Sequence, residues 1–126
     1  MKLENLEIYQ LSMAIAESIW KIISNWNGFA KNTLGNQLIR SSDSIAANIS
    51  EGFGRYSYKE NKLFCYYARG SLFETKTWII KANNRELISN KELQTLNKEL
   101  NNLGVKLNNY IKSIGNPPQK KTMTIE

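Results

Sequence analysis

The stretch SNKELQTLNKELNNLGVKLNNYIKSIG, residues 89–115, decides the fold. Its apolar residues Leu93, Leu96, Leu100, Leu103, Leu107, Tyr110 and Ile114 step by three and four without a break, the seam of a helix packed on other helices. Ser89 stands three residues ahead of Glu92, the spacing of a capping box, in which hydroxyl and carboxylate each satisfy a backbone N–H of the first turn. Gly115 falls where a left-handed residue closes a helix, and Pro117 and Pro118 cannot continue one.

The same Ser-x-x-Glu spacing recurs at Ser57 and Glu60, so a long helix is expected from about Tyr58 to Arg85, roughly 42 Å at about 1.5 Å per residue. Before it, Leu38, Ile45, Ile49 and Phe53 mark a helix over about Asn36–Phe53, with the small residues Ser41, Ser42, Ser44, Ala46, Ala47 and Ser50 between them. Small residues let another backbone approach closely, and Gly52 and Gly54 are expected to end the helix. The segment from Asn25 to Gly35, with Asn27-Gly28 and Asn32-Thr33, reads as a loop.

The N-terminal segment, about Leu3–Asn25, carries two apolar stripes roughly 140° apart at about 100° per residue. One is Leu6, Tyr9, Met13, Ala16, Trp20 and Ile23; the other is Ile8, Leu11, Ile15, Ile19 and Ile22. Either the helix is packed deeply over a wide arc, or the second stripe meets another subunit. The second alternative makes these five residues an oligomer interface, since isoleucines left in water are a liability.

Four helices with short connections predict an all-α, antiparallel up-down-up-down four-helix bundle over residues 1–115, with 116–126 a flexible tail. The 126 residues hold one domain, and 7 Gly with 2 Pro are too few to punctuate an all-β fold. With His absent there is no His-based acid–base pair or zinc site, and the single Cys65 forms neither an internal disulfide nor a CxxC pair. No signal-peptide pattern or membrane-length apolar run is present, so the cytoplasm is the default address. No cofactor and no metal is expected.

On the long third helix the core face reads as Leu63, Phe64, Tyr67, Ala68, Gly70, Ser71, Thr75, Trp78 and Ala82, with Glu74 in its middle. A carboxylate there needs a partner. The second helix offers Gln37, Arg40, Ser44, Asn48 and Glu51 on one side, so Glu74 is expected to meet Arg40 or Asn48, with Gly70 and Ser71 making room. On this reading Arg40, Ser44, Asn48, Glu51, Ser71 and Glu74 form a structural polar network. The alternative, Glu51 and Glu74 as an acid–base pair or divalent-ion ligands, lacks a nucleophile, a phosphate loop and His. No catalytic residue is assigned, and the chain is not expected to be an enzyme.

Lys and Arg number 17 against 11 Asp and Glu, a net charge of +6. Arg55, Lys59, Lys62, Tyr66, Arg69, Phe73 and Lys76 fall on one side of the wheel, a basic stripe set with two aromatics. It is either a solvated outer face or a groove for nucleic-acid phosphates with rings available for stacking. Lys120 and Lys121 could add phosphate contacts.

The run QLIRSSDSIAANISEGFGR, residues 37–55, closely resembles the signature Q-L-R-R-A-S-x-S-I-x-x-N-I-A-E-G-x-G-R of the four-helix-bundle proteins encoded in intervening sequences of bacterial 23S rRNA genes. Residues 67–75, YARGSLFET, resemble that family's second block, I-A-x-G-S-L-x-E-T. Ile39, Ser41 and Ser50 depart from the commoner Arg, Ala and Ala. The resemblance implies an antiparallel bundle that assembles as a homopentamer, with no established activity. The related accessory variability determinants of diversity-generating retroelements resemble the same bundle in a basic pentameric barrel that binds nucleic acid and a reverse transcriptase. The expectation is therefore a non-enzymatic, self-assembling bundle that contacts RNA or DNA and a protein partner. The alternatives are a protein-binding adaptor with no nucleic-acid role, or a retroelement accessory protein that binds a reverse transcriptase.

Overall fold

A computed structural model describes residues 1–115 and contains four long helices: α1 (Glu7–Ile23), α2 (Asn36–Phe53), α3 (Tyr58–Asn84) and α4 (Asn90–Ser113). Each packs on the next in chain order and α4 returns to α1. Short connections make neighbours antiparallel, so the architecture is the expected all-α four-helix bundle. The expected tail, with Lys120 and Lys121, lies outside the described residues.

Local chemistry fixes where the helices begin and end. At α4 the capping box is complete: Ser89 Oγ accepts from Glu92 N at 3.0 Å, and Ser89 N donates to Glu92 Oε1 at 2.9 Å. At α3 only the first half forms, Glu60 N donating to Ser57 Oγ at 3.1 Å. Gly115 takes φ +79°, the left-handed closure expected of it. The α3–α4 turn closes the same way with Glu86 at φ 60°, as Glu86 N donates to Asn83 O and Leu87 N to Ala82 O.

Three local expectations change. Leu3–Asn5 is a separate 3-10 turn, because Leu6 is extended and breaks the run before α1. The segment read as a loop is largely helical. Asn27 Oδ1 accepts from Ala30 N at 2.9 Å and caps a turn at Gly28–Ala30, which continues through a π-type turn at Lys31–Gly35 into α2. Buried Trp26, Ala30 and Leu34 plug that end of the core. Gly52 does not end α2; it lies inside the last turn, where α3 crosses closely.

The core is a single cluster fed by all four helices. On α4 it takes Leu96, Leu100, Leu103, Leu107 and Ile111, with Leu93 and Tyr110 at the margin. On α1 it takes Ile8, Ile15, Ile19 and Ile23 with Ser12 and Ala16. This corrects the expected oligomer interface. Ile8, Ile15 and Ile19 are buried within the chain itself, and Leu11 and Ile22 are partly buried against the same core. The isoleucine stripe is the inward side of one wide apolar arc, and what stays outside is Met13, 42% exposed, and Trp20, 57% exposed.

Cys65 is fully buried on α3, its thiol near Asn61 Oδ1 at 3.8 Å. Burial pushes its pKa up from 9.0 to about 11, because a thiolate there would have no water around it. The folded chain therefore keeps a proton that the unfolded chain gives up. The stabilisation is whole below about pH 9 and is lost as pH rises toward 11. We expect iodoacetamide to leave the native protein unlabelled at pH 8 and to label it rapidly in guanidinium; fast native labelling would contradict the burial.

Candidate nucleic-acid interface

Helix α3 turns Cys65, Ala68, Leu72, Thr75, Ile79 and Ala82 inward, a clean three-four alternation. The expected core face is right at Ala68, Thr75 and Ala82, which are buried, and half right at Phe64, Ser71 and Trp78, but it is turned about the helix axis so that its far edge faces out. Leu63 and Tyr67 are exposed, Gly70 has nothing within 4 Å of where a Cβ would stand, and Glu74 is exposed.

The expected polar network is accordingly not assembled. Glu74 shares a shallow groove of about 340 Å³ with Gln37, Arg40, Ser41 and Ser44, yet forms no ion pair with Arg40 among the described residues. Ser44 Oγ donates to Arg40 O at 2.7 Å and Asn48 Nδ2 to Ser44 O at 2.9 Å, both within α2. Glu51 pairs with Arg55 at 2.8 Å. The buried polar link between α2 and α3 lies one residue along, where Thr75 Oγ1 is 2.9 Å from Ser41 Oγ and 2.8 Å from Ser71 O. Ser41 Oγ in turn reaches Leu38 O at 3.2 Å, so both hydroxyls are satisfied. Among the described residues no three of Asp, Glu and Cys gather to hold a metal ion. Burial, and then the nearby Glu17 carboxylate, raises the pKa of Asp43.

The basic stripe is drawn together at the edge of α3 that meets α4. Arg69 Nη1 donates to Asn108 Oδ1 at 2.9 Å and Lys76 Nζ to Asn101 Oδ1 at 2.5 Å. Arg69 lies over the Tyr66 ring at 5.0 Å from its centroid, and Lys76 over Phe73 at 5.7 Å. Both rings remain open to solvent, Tyr66 at 46% and Phe73 at 59%. Lys62 stands one heptad before Arg69, and with Lys59, Glu60, Leu63 and Tyr66 it lines a hollow of about 540 Å³. Glu60 at this hollow means that the carboxylate-free row proper runs from Lys62 to Lys76.

Arg55 does not belong to the row. It follows the end of α2, its charge is met by Glu51, and its guanidinium lies 4.8 Å from the Phe64 centroid. Sequence reading missed Asn101 and Asn108, which hold the two cations through neutral amides. Their seven-residue spacing, matching that of Arg69 and Lys76 in antiparallel register, was the signal available.

The signature of the 23S rRNA-intervening sequence proteins matches residues 4–109. Among solved structures, the chain is similar to a protein of unknown function from the S23 ribosomal protein family of Bacteroides thetaiotaomicron. The TM-score is 0.75 at 23% sequence identity, over 83% of this chain and 98% of that one. At that identity the likeness concerns the fold. No curated protein gives a match.

Proposed function

The chain belongs to the 23S rRNA-intervening sequence protein family, and from that premise and the row on α3 we propose a non-enzymatic, self-assembling, cytoplasmic bundle whose basic face binds RNA or DNA. One observation carries this: Lys62, Arg69 and Lys76 follow one edge of α3, and the latter two are held by amide oxygens rather than carboxylates. Fourteen residues of helix spread these charges over about 21 Å. A phosphate backbone supplies the anions that the row lacks, and contacts to phosphate carry little sequence information.

Three such contacts predict roughly a 20-fold loss of affinity for single strands, and about 40-fold for duplex, between about 50 and 200 mM salt. Fluorescence anisotropy with labelled oligonucleotides measures this, and an affinity indifferent to salt would exclude the phosphate reading. Reversing two charges, Lys62→Glu with Arg69→Glu, is expected to weaken binding at least tenfold. Retained binding would acquit the row.

Self-assembly, as the homopentamer that the family resemblance implies, is supported by the apolar surface of α1 and α2 rather than by the isoleucine stripe. Trp20 and Ile39 flank a groove of about 360 Å³ whose other lining is Ile23 and the polar Ser24, Lys31, Asn32 and Asn36, and Met13 lies two turns along α1. Trp20→Glu is expected to lower the mass seen by light scattering, and a wild-type chain that scatters as a monomer would remove self-assembly. The same surface favours the second reading, an adaptor with a protein partner; a reverse transcriptase is the partner that the retroelement resemblance implies.

A further inference from the structure

The contacts along α3 and α4 repeat. Tyr66, Arg69 and Asn108 form one unit, and Phe73, Lys76 and Asn101 form a second with the same order of contacts, ring to cation to amide. Every member is displaced by seven residues, so the two units are related by two helical turns, about 10.5 Å. Single exposed rings are ordinary on a protein surface; what is particular here is that a ring, a cation and an amide are held together twice in one register.

The parts of each unit suit a ligand with two chemistries at once. The amide oxygen takes one N–H of the cation and fixes its direction, and because it is neutral it leaves the charge and the remaining donors available. The cation covers part of one ring, and the rest of the ring stays in contact with water. An anion beside the cation and a flat apolar group against the ring would complete both. A nucleotide carries that pair, provided that its base is not already stacked on others.

We infer that the two units are a grip for single-stranded nucleic acid, with phosphates at Arg69 and Lys76 and unstacked bases against Tyr66 and Phe73. This rests on the nucleic-acid reading proposed above and narrows its ligand. A duplex presents phosphates but keeps the faces of its bases inside the stack, so it uses the cations and leaves the rings idle. A strand with its bases unstacked is more extended than a strand in a duplex, where the rise is about 3.4 Å, so the two units stand fewer than three nucleotides apart.

The test is anisotropy with fluorescein-labelled oligo-dT and oligo-U of about 15 nucleotides, and a DNA hairpin with the same number of phosphates, at about 50 mM salt. Single strands are expected to bind at least tenfold tighter than the hairpin. Tyr66→Ala with Phe73→Ala is expected to remove that margin, weakening single strands at least tenfold while the hairpin changes less than twofold. Both rings lie outside the core, so the variant keeps its circular dichroism. Hairpin binding as tight as oligo-dT, or single-strand affinity unchanged in the double alanine variant, overturns the grip; if Lys62→Glu with Arg69→Glu still weakens both ligands, the broader function survives. Absence of binding to every probe overturns the function and the grip together.

Discussion

Gly52→Ala is expected to lower the melting temperature of the bundle by about 10 °C, whereas Gly70→Ala, the same chemical change eighteen residues along the chain, raises it by about 3 °C. At Gly52 a Cβ would stand 2.8 Å from Asn61 Oδ1, 2.9 Å from Asn61 O and 3.0 Å from Phe64 Cβ. The amide oxygen can swing aside, but the carbonyl belongs to the backbone of α3 and yields only if the helices separate. Overfilling of this kind costs about 1–3 kcal/mol, and the lack of give puts Gly52 at the upper end. Alanine's better helix propensity returns up to about 1 kcal/mol. At Gly70 nothing lies within 4 Å, so propensity acts alone. Thermal melts of the two variants measure the contrast, and a Gly52→Ala protein melting with the wild type would mean that α2 and α3 are not this close.

Leu103→Ala carries the largest single effect we expect, about 3–5 kcal/mol in urea unfolding, against less than about 0.5 kcal/mol for Val105→Ala. Leu103 is fully buried at the middle of the α4 seam, between Leu100 and Leu107, which are buried as completely. One turn of helix on either side is therefore already committed to the core and cannot collapse into the space. Val105, 61% exposed on the same helix, loses little by truncation. Domains of this size are stable by only about 5–15 kcal/mol, so the loss at Leu103 would be a large fraction of the total. Equal midpoints for the two variants would show that the seam does not face the core.

Helix α4 could be read from the chain almost residue by residue, because one apolar seam, one cap and one glycine stop all agree. Helix α3 could not. Leu63, Tyr66, Tyr67, Phe73 and Ile80 lie on its outer side, while the core is met by Cys65, Ala68, Thr75 and Ala82 among others, so the large apolar residues drew the expected face partly round the helix, away from Cys65 and Leu72, and carried Glu74 inward with it. On α1 the two stripes were visible, but nothing local tells a row that meets its own core from one that meets a copy. The isoleucines went inward because three other helices of the same chain were there to cover them. The charges of the candidate site were legible for a simpler reason, that cations without carboxylates stand out. Their partners were not, since Asn101 and Asn108 sit among Asn97, Asn102 and Asn109, and only the packing of α4 on α3 distinguishes them.

The neutral amides behind Arg69 and Lys76 have a consequence for how the surface exchanges what it holds. An amide oxygen is no rival anion, so neither of these two hydrogen bonds has to break as an ion pair before its cation meets a phosphate. Entry and exit are then governed by the small ions of the solution rather than by the opening and closing of salt bridges inside the bundle.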